Sequence, residues 1–260
     1  MDEPLVRWGV ADGVATVVLD SPRNRNALSR RLLSDLAAAL DAATTHPEAR
    51  VIVLTGAGTV FCSGADLKEQ REANEAGSSA QPINDLPAIL MTLWNCRQPV
   101  VCRLNGPARA GGVGLLASCD LVVAPAEVTF SFTEVRLGLV PAIITVPLLR
   151  RIAPQALHRL FLTAEVFSAA QAQDIGLVDA VAAEGELDAE VARLVGMLAR
   201  GGPEALALTK RLVTEIRSLP PEEAFTRLST LSAERFASAE GREGMQAFAE
   251  KRDPSWVPAV

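Results

Sequence analysis

The chain has 260 residues, 49% hydrophobic and 22% charged, which is enough apolar content for a sizeable core and argues against a disordered chain. Its formal net charge is −6, which disfavours non-specific binding to nucleic acid or to an anionic membrane. It contains no tyrosine, so a phenol is excluded as acid or base.

Val14 to Leu19 reads as a strand after the turn at Asp12-Gly13, and Ser21-Pro22-Arg23-Asn24 breaks it. Ser29 can cap a helix from about Arg30 to Ala43, with Leu32, Leu33, Leu36 and Leu40 as its apolar stripe. His46 beside Pro47 reads as a helix end. Val51-Ile52-Val53-Leu54 is an unbroken apolar run, the pattern of a strand covered on both faces. Gly56-Ala57-Gly58 to Gly64-Ala65 follows it, and Asp66 is placed to cap a short polar helix through Asn74. Glu75 to Pro87 is poor in apolar residues and reads as a surface loop, or as a flap over a pocket.

Ile89 to Arg97 reads as a helix ended by Pro99, and Val100 to Leu104 as a strand. That strand leads into Asn105-Gly106-Pro107-Ala108-Arg109-Ala110-Gly111-Gly112-Val113-Gly114. Glycine costs a helix about 1 kcal/mol against alanine, so three of them in an opening turn have some use. They let a ligand approach bare backbone amides, or they let the helix pack tightly on a neighbour. Leu121 to Ala124, Val128 to Phe132 and Val178 to Val181 add short strands. Ser168-Ala169-Ala170-Gln171 fits a capping box. His158 lies on a charged helical face. From Asp188 onward only helices are expected, over 188–200, 203–217 and 221–240, with Leu228, Leu231, Phe225 and Phe236 assigned first to core and otherwise to subunit contacts. Strands alternating with helices indicate an α/β fold.

Cys62, Cys96, Cys102 and Cys119 lie among apolar residues without metal-ligand spacing and read as reduced thiols. No targeting segment and no run of 18 apolar residues occurs, so a soluble, cytoplasmic protein is expected. Ser63 has no partner in the sequence to activate it as a nucleophile. The glycines do not form the dinucleotide-binding fingerprint.

The two glycine-rich turns, Phe61-Cys62-Ser63-Gly64-Ala65-Asp66-Leu67-Lys68 and Asn105 to Gly114 with Cys119-Asp120, can each supply one amide to a single anion. These stretches resemble the crotonase superfamily of enoyl-CoA hydratases and isomerases. Phe130 to Pro141 resembles its catalytic-glutamate segment. Pro22 to Leu28, Phe167 to Val178 and Phe248 to Trp256 add supporting matches. The resemblance implies a spiral of ββα turns over 1–195 and a C-terminal helical region over 196–260 that forms trimers or hexamers. It implies backbone amides of Ala65 and Gly111 as oxyanion donors, and Glu134 as the acid–base group. It implies CoA contacts at Arg25, Ala27, Leu28 and Ala65-Asp66-Leu67-Lys68, with Phe248 and Lys251 reaching a neighbouring subunit's adenine end. Asp120 reads as structural. CoA is part of the substrate, and no metal, flavin or redox cofactor is implied.

The second glutamate common among hydratases of the family is Gly114 here. A finer likeness, to branched-chain hydratases acting on glutaconyl-type esters, suggests Arg109 or Arg136 as contacts for a distal carboxylate. It also suggests that the space beside Gly114 admits a branched acyl group. An enoyl-CoA hydratase is therefore expected, with a double-bond isomerase using Glu134 alone and a non-catalytic CoA-ester-binding subunit as alternatives.

Overall fold

A computed structural model describes residues 3–77, 85–216 and 219–257. Strands β1 (Val6–Ala11), β2 (Val14–Leu19), β3 (Val51–Gly56), β4 (Val100–Arg103), β6 (Leu121–Pro125) and β9 (Ala180–Ala182) form one sheet in that spatial order. Only β1 runs antiparallel, as the hairpin partner of β2. A second sheet holds the short strands β5 (Ala108–Arg109), β7 (Thr129–Ser131) and β8 (Phe167–Ser168).

The unbroken run in β3 is covered on both faces, as its composition implies. Ile52 and Leu54 point into the large core with Val17, Leu19 and Cys102. Val51 and Val53 point the other way, toward Val101, Val123 and Val191. Successive strand side chains alternate faces, so one apolar run serves two cores. Helix α1 (Arg30–Thr45) closes the large core with Leu32, Leu33, Leu36 and Leu40, all buried, and Ser29 Oγ accepts from the Leu32 amide. Helix α2 (Leu67–Glu75) begins on Asp66, whose Oδ1 accepts from the amides of Lys68 and Glu69. Helix α3 spans Leu86–Asn95, earlier than expected because Pro87 opens its first turn, where its missing N–H is harmless. Of the loop expected over 75–87, residues 78–84 lie outside the described residues, and so does any flap they form.

Helix α4 (Gly111–Ala117) does open on the glycines. Helices α5 (Ala142–Arg151), α6 (Pro154–Thr163) and α7 (Ala169–Asp174) follow, the last with the expected Ser168–Gln171 capping box. Helix α8 (Leu187–Ala199) lays Val191, Leu194 and Leu198 on the second face of the main sheet. The division expected at 195/196 therefore falls inside a continuous helix; the chain breaks instead after Ala199, at the Gly201-Gly202 turn. Beyond it lie α9 (Pro203–Glu215), α10 (Pro221–Ala237) and α11 (Ala239–Glu250).

One helix was expected over 221–240. Ser238, extended at ψ 160°, ends α10 and starts α11 by accepting from the Gly241 amide. The core assignment of Phe225 and Phe236 is also overturned: they are 73% and 66% exposed, because α10 packs mainly on α11 and leaves that face outward. Leu228 and Leu231 are half-buried. All four cysteines are free, three of them buried. Among the described residues no helix is long and apolar enough to cross a membrane.

Candidate active site

The first glycine-rich turn is held by two asparagines that periodicity could not single out. Asn26 is buried, and its Nδ2 donates toward the carbonyls of Ala57, Val60 and Phe61 while Oδ1 accepts from the Ser21 amide. Asn105 accepts from the Gly56 amide and donates to the Gly58 carbonyl. Buried carbonyls without such donors would cost about 1–3 kcal/mol each. The only sequence signal for this clamp is a pair of polar residues beside turns, which is common.

Downstream, Leu28 and Ala65 form a parallel bridge. Leu28 N donates to Gly64 O at 2.7 Å and Asp66 N to Leu28 O at 3.3 Å. This geometry passes over the amide of Ala65, which has no acceptor among the described residues. Cys62 bridges to Ala108 in the same way, with Arg109 N donating to Cys62 O at 3.0 Å. Two adjacent bridges thus tie the first turn to the second.

In the second turn Ala110 has φ 46° and ψ −119°, a conformation that alanine rarely adopts. Its amide donates to Ser131 O, and its carbonyl accepts from Val113 and Gly114. That twist leaves the Gly111 amide as the first of α4, without an acceptor among the described residues. Gly64, at φ +90°, lies against it: a Cβ on Gly64 would stand 3.5 Å from Gly111 N. A Cβ on Gly111 would strike Leu28 Cδ1 at 2.8 Å. Two donors from distant parts of the sequence, both unpaired among the described residues, therefore border one narrow space.

Glu134 opens a 3₁₀ turn (Glu134–Leu137) after β7, closed by Gly138 at φ 70°. Its backbone carbonyl accepts from Leu139 N, and its carboxylate Oε2 is buried with no partner among the described residues. Burial pushes the Glu134 carboxyl above the usual carboxylate range, partly offset by its own backbone amide. Ala65, Gly111 and Glu134 share one cavity of about 460 Å³, walled by Leu28, Leu86, Val140, Ile143 and Ile144, with Gln70 and Asn74 of α2 at its side. Phe130 and Phe132, though only two to four positions from the glutamate, turn into the core and pack on Phe167 and Phe161.

Arg25 is exposed at φ 59°, with its carbonyl accepting from Ser63 N. Ala27 is buried; Leu67 lines the cavity and Lys68 is exposed beyond it. Phe248 and Lys251 end α11, exposed and away from the cavity lining. Arg109 and Arg136 do not line the cavity either. The Arg109 guanidinium is spent on the carbonyl and hydroxyl of Thr129, because β5 turns that side chain along the sheet. Arg136 is exposed near the Thr163 carbonyl. The open space expected beside Gly114 is absent as well. A Cβ there would stand 2.5 Å from Ile144 Cγ2, so α5 already fills it.

A sequence model described as enoyl-CoA hydratase/isomerase matches residues 9–258. A Thermus thermophilus relative provisionally named an enoyl-CoA hydratase is 35% identical over 243 residues, 93% of this chain and 96% of its own length. The Mycobacterium tuberculosis enoyl-CoA hydratase EchA19 is 32% identical over 244 residues, 92% of this chain and 91% of its own. The crystal structure of human enoyl-CoA hydratase domain-containing protein 3 superposes with a TM-score of 0.90 at 30% identity, covering 97% of this chain and all of that one.

Proposed function

The chain belongs to the enoyl-CoA hydratase/isomerase family, and on that premise we propose that it adds water across the 2,3 double bond of an enoyl-CoA thioester. One observation carries this reading: a buried carboxylate oxygen of Glu134 and the amides of Ala65 and Gly111, all three without partners among the described residues, share one cavity.

In this reading the thioester oxygen accepts from both amides. Attack of water at C3 moves the double-bond electrons toward C2 and the thioester oxygen, and the amides stabilise that enolate; one such donor is worth about 3 kcal/mol in the barrier. Glu134 takes a proton from the attacking water as the O–C3 bond forms. The protonated carboxyl then delivers it to C2, and the carboxylate is restored. A desolvated carboxyl with raised basicity suits both halves of that transfer.

CoA would run past Arg25, Ala27 and Leu28 and along Asp66-Leu67-Lys68. Phe248 and Lys251 would meet the CoA of a neighbouring copy, since they lie outside this chain's own cavity. The exposed Phe225 and Phe236 favour such an assembly, a homotrimer or a pair of trimers. No metal, flavin or nucleotide cofactor has a part in this chemistry, and the cytoplasm is the compartment proposed.

A second reading is favoured by the contact between Gly114 and Ile144. With no second carboxylate beside it, Glu134 can move a proton between C4 and C2 of a 3-enoyl ester and needs no water. Crotonyl-CoA, 3-methylglutaconyl-CoA and a 3-enoyl-CoA assayed side by side separate the readings. Hydration of either 2-enoyl ester supports the first, and product from the 3-enoyl ester alone supports the second. Binding of all three without turnover would leave a non-catalytic CoA-ester-binding subunit.

A further inference from the structure

The contact that removes the second acid also shapes the cavity. Ile144 lies in the first turn of α5 and is 3% exposed, yet it lines the cavity that holds Glu134. A Cβ on Gly114 would meet Ile144 Cγ2 at 2.5 Å, Cβ at 3.2 Å and Cα at 3.8 Å. The two helices approach here at backbone distance, and a branched methyl has no flexible end with which to yield. One volume is thus contested by two positions, and in this chain it belongs entirely to Ile144.

We infer that Ile144 is the specificity-determining residue of the acyl site: its β-branch takes the place of any side chain at position 114 and limits the width available at C3 of the acyl group. The inference rests on the proposed CoA-thioester site but not on which reaction follows. Leu28, Leu86, Val140 and Ile143 continue that wall, and the polar side chains beside it other than Glu134, namely Gln70 and Asn74, carry no charge, so the recognised group is an uncharged hydrocarbon chain, unbranched at C3. The two arginines suited to a terminal carboxylate lie elsewhere. Leu86 bounds the same cavity beside the oxyanion glycine, since its Cδ2 would be 3.7 Å from a Cβ on Gly111.

The test uses saturated esters, which bind and cannot react. Dissociation constants of butyryl-CoA and 3-methylbutyryl-CoA are measured by calorimetry for wild type, Ile144→Leu, which lacks the β-branch, Ile144→Ala and Glu134→Gln. Wild type is expected to prefer the straight chain. Ile144→Ala should shift the ratio toward the branched ester by about fourfold, the worth of one buried methyl, and Ile144→Leu in the same direction by less. Glu134→Gln should leave the ratio unchanged. A ratio that stays constant across the Ile144 variants overturns the inference; if the alanine variant fails to fold, the leucine variant decides it. Hydration is assayed separately. A protein that follows this binding pattern but hydrates nothing defeats the hydratase reading alone. One that hydrates with unaltered selectivity in the variants defeats only the role of Ile144.

Discussion

A methyl group on Gly114 would stand 2.5 Å from Cγ2 of Ile144, so the position at which the family resemblance implies a second glutamate in many hydratases is occupied here from the facing helix. Glu134 is left as the only titratable side chain lining the cavity among the described residues. Restoring a glutamate at position 114 therefore does not simply rebuild a paired-carboxylate site. Gly114→Glu should overpack the junction of α4 and α5 and destabilise the fold by about 1–3 kcal/mol or more. The double variant Gly114→Glu/Ile144→Ala should recover part of that loss. Urea unfolding of both variants measures it. A single variant as stable as wild type would show that α5 yields freely.

Removing the acid–base group has a different signature. Glu134→Gln keeps the shape and leaves both amides in place. It should lower kcat by about 10²–10⁴-fold, with little change in affinity for a saturated acyl-CoA. Steady-state rates and calorimetry on the same preparation separate the two effects. A drop in affinity that accounts for the whole loss of rate would mean that Glu134 binds substrate and does not transfer its proton.

The direction of the Glu134 shift fixes two pH dependences. Its carboxyl is raised above 4.5 by burial, so the charged form needed as base is lost at a higher pH than an exposed glutamate would dictate. The acid limb of kcat/KM should lie above 4.5. Stability runs in the opposite sense. A group whose folded value is raised contributes stability that is full below its unfolded value and is lost as pH rises through the folded one. Wild type should therefore be less stable than Glu134→Gln at pH 7–8, and the gap should close toward pH 4. Thermal melts across that range test it, and a gap that widens in acid would reverse the sign.

Much of this architecture is legible in the sequence because its signals are local. The Ser29, Asp66 and Ser168 caps are polar residues directly ahead of the helices they start, and the two-faced strand Val51–Gly56 opens on the unbroken apolar run Val51–Leu54. Three features are not local and escaped. The clamp by Asn26 and Asn105 depends on carbonyls about 30 to 50 positions away. Arg109 looks available to a substrate until Thr129 is seen beside it. The space at Gly114 looks open until α5 packs across it. The exposed phenylalanines of α10 follow from the break at Ser238, which composition alone does not mark.

Asp66 joins the local signals to the site. Its Oδ1 accepts from Lys68 N at 3.0 Å and Glu69 N at 3.1 Å, and the helix it starts carries Leu67, Gln70 and Asn74 to the cavity. Asp66→Ala should cost about 1 kcal/mol, and the loss should be confined to α2. Hydrogen exchange should quicken over 67–75 and stay unchanged in α1. Acyl-CoA affinity should fall modestly, because one wall of the site then frays. Uniform exchange across the variant would place the cap's effect elsewhere.

The C-terminal helices are fastened to the core by a charge that could be mistaken for an ordinary surface lysine. Lys210 of α9 has a side chain only 7% exposed. Its Nζ donates to Leu93 O at 2.9 Å and Gln98 O at 3.1 Å, at the end of α3, and pairs with Asp120 at 2.8 Å. Asp120 also accepts from the Val100 amide, so it ties β4 to the same point. Burial pushes the Asp120 carboxyl up and Lys210 draws it back, with burial the larger effect. Lys210→Met keeps the apolar stem but strands a largely desolvated carboxylate and two carbonyls. Breaking one side of such a pair costs on the order of 3–5 kcal/mol; Asp120 keeps 29% of its side chain exposed, which places the loss toward the lower end. Lys210→Met/Asp120→Asn removes the stranded charge and should be more stable than the single lysine variant, although it has lost more of the native contacts. Urea midpoints for the two variants carry the comparison. If the single variant unfolds within 1 kcal/mol of wild type (roughly the worth of an exposed pair), α9 is held by its apolar face and the buried pair is incidental.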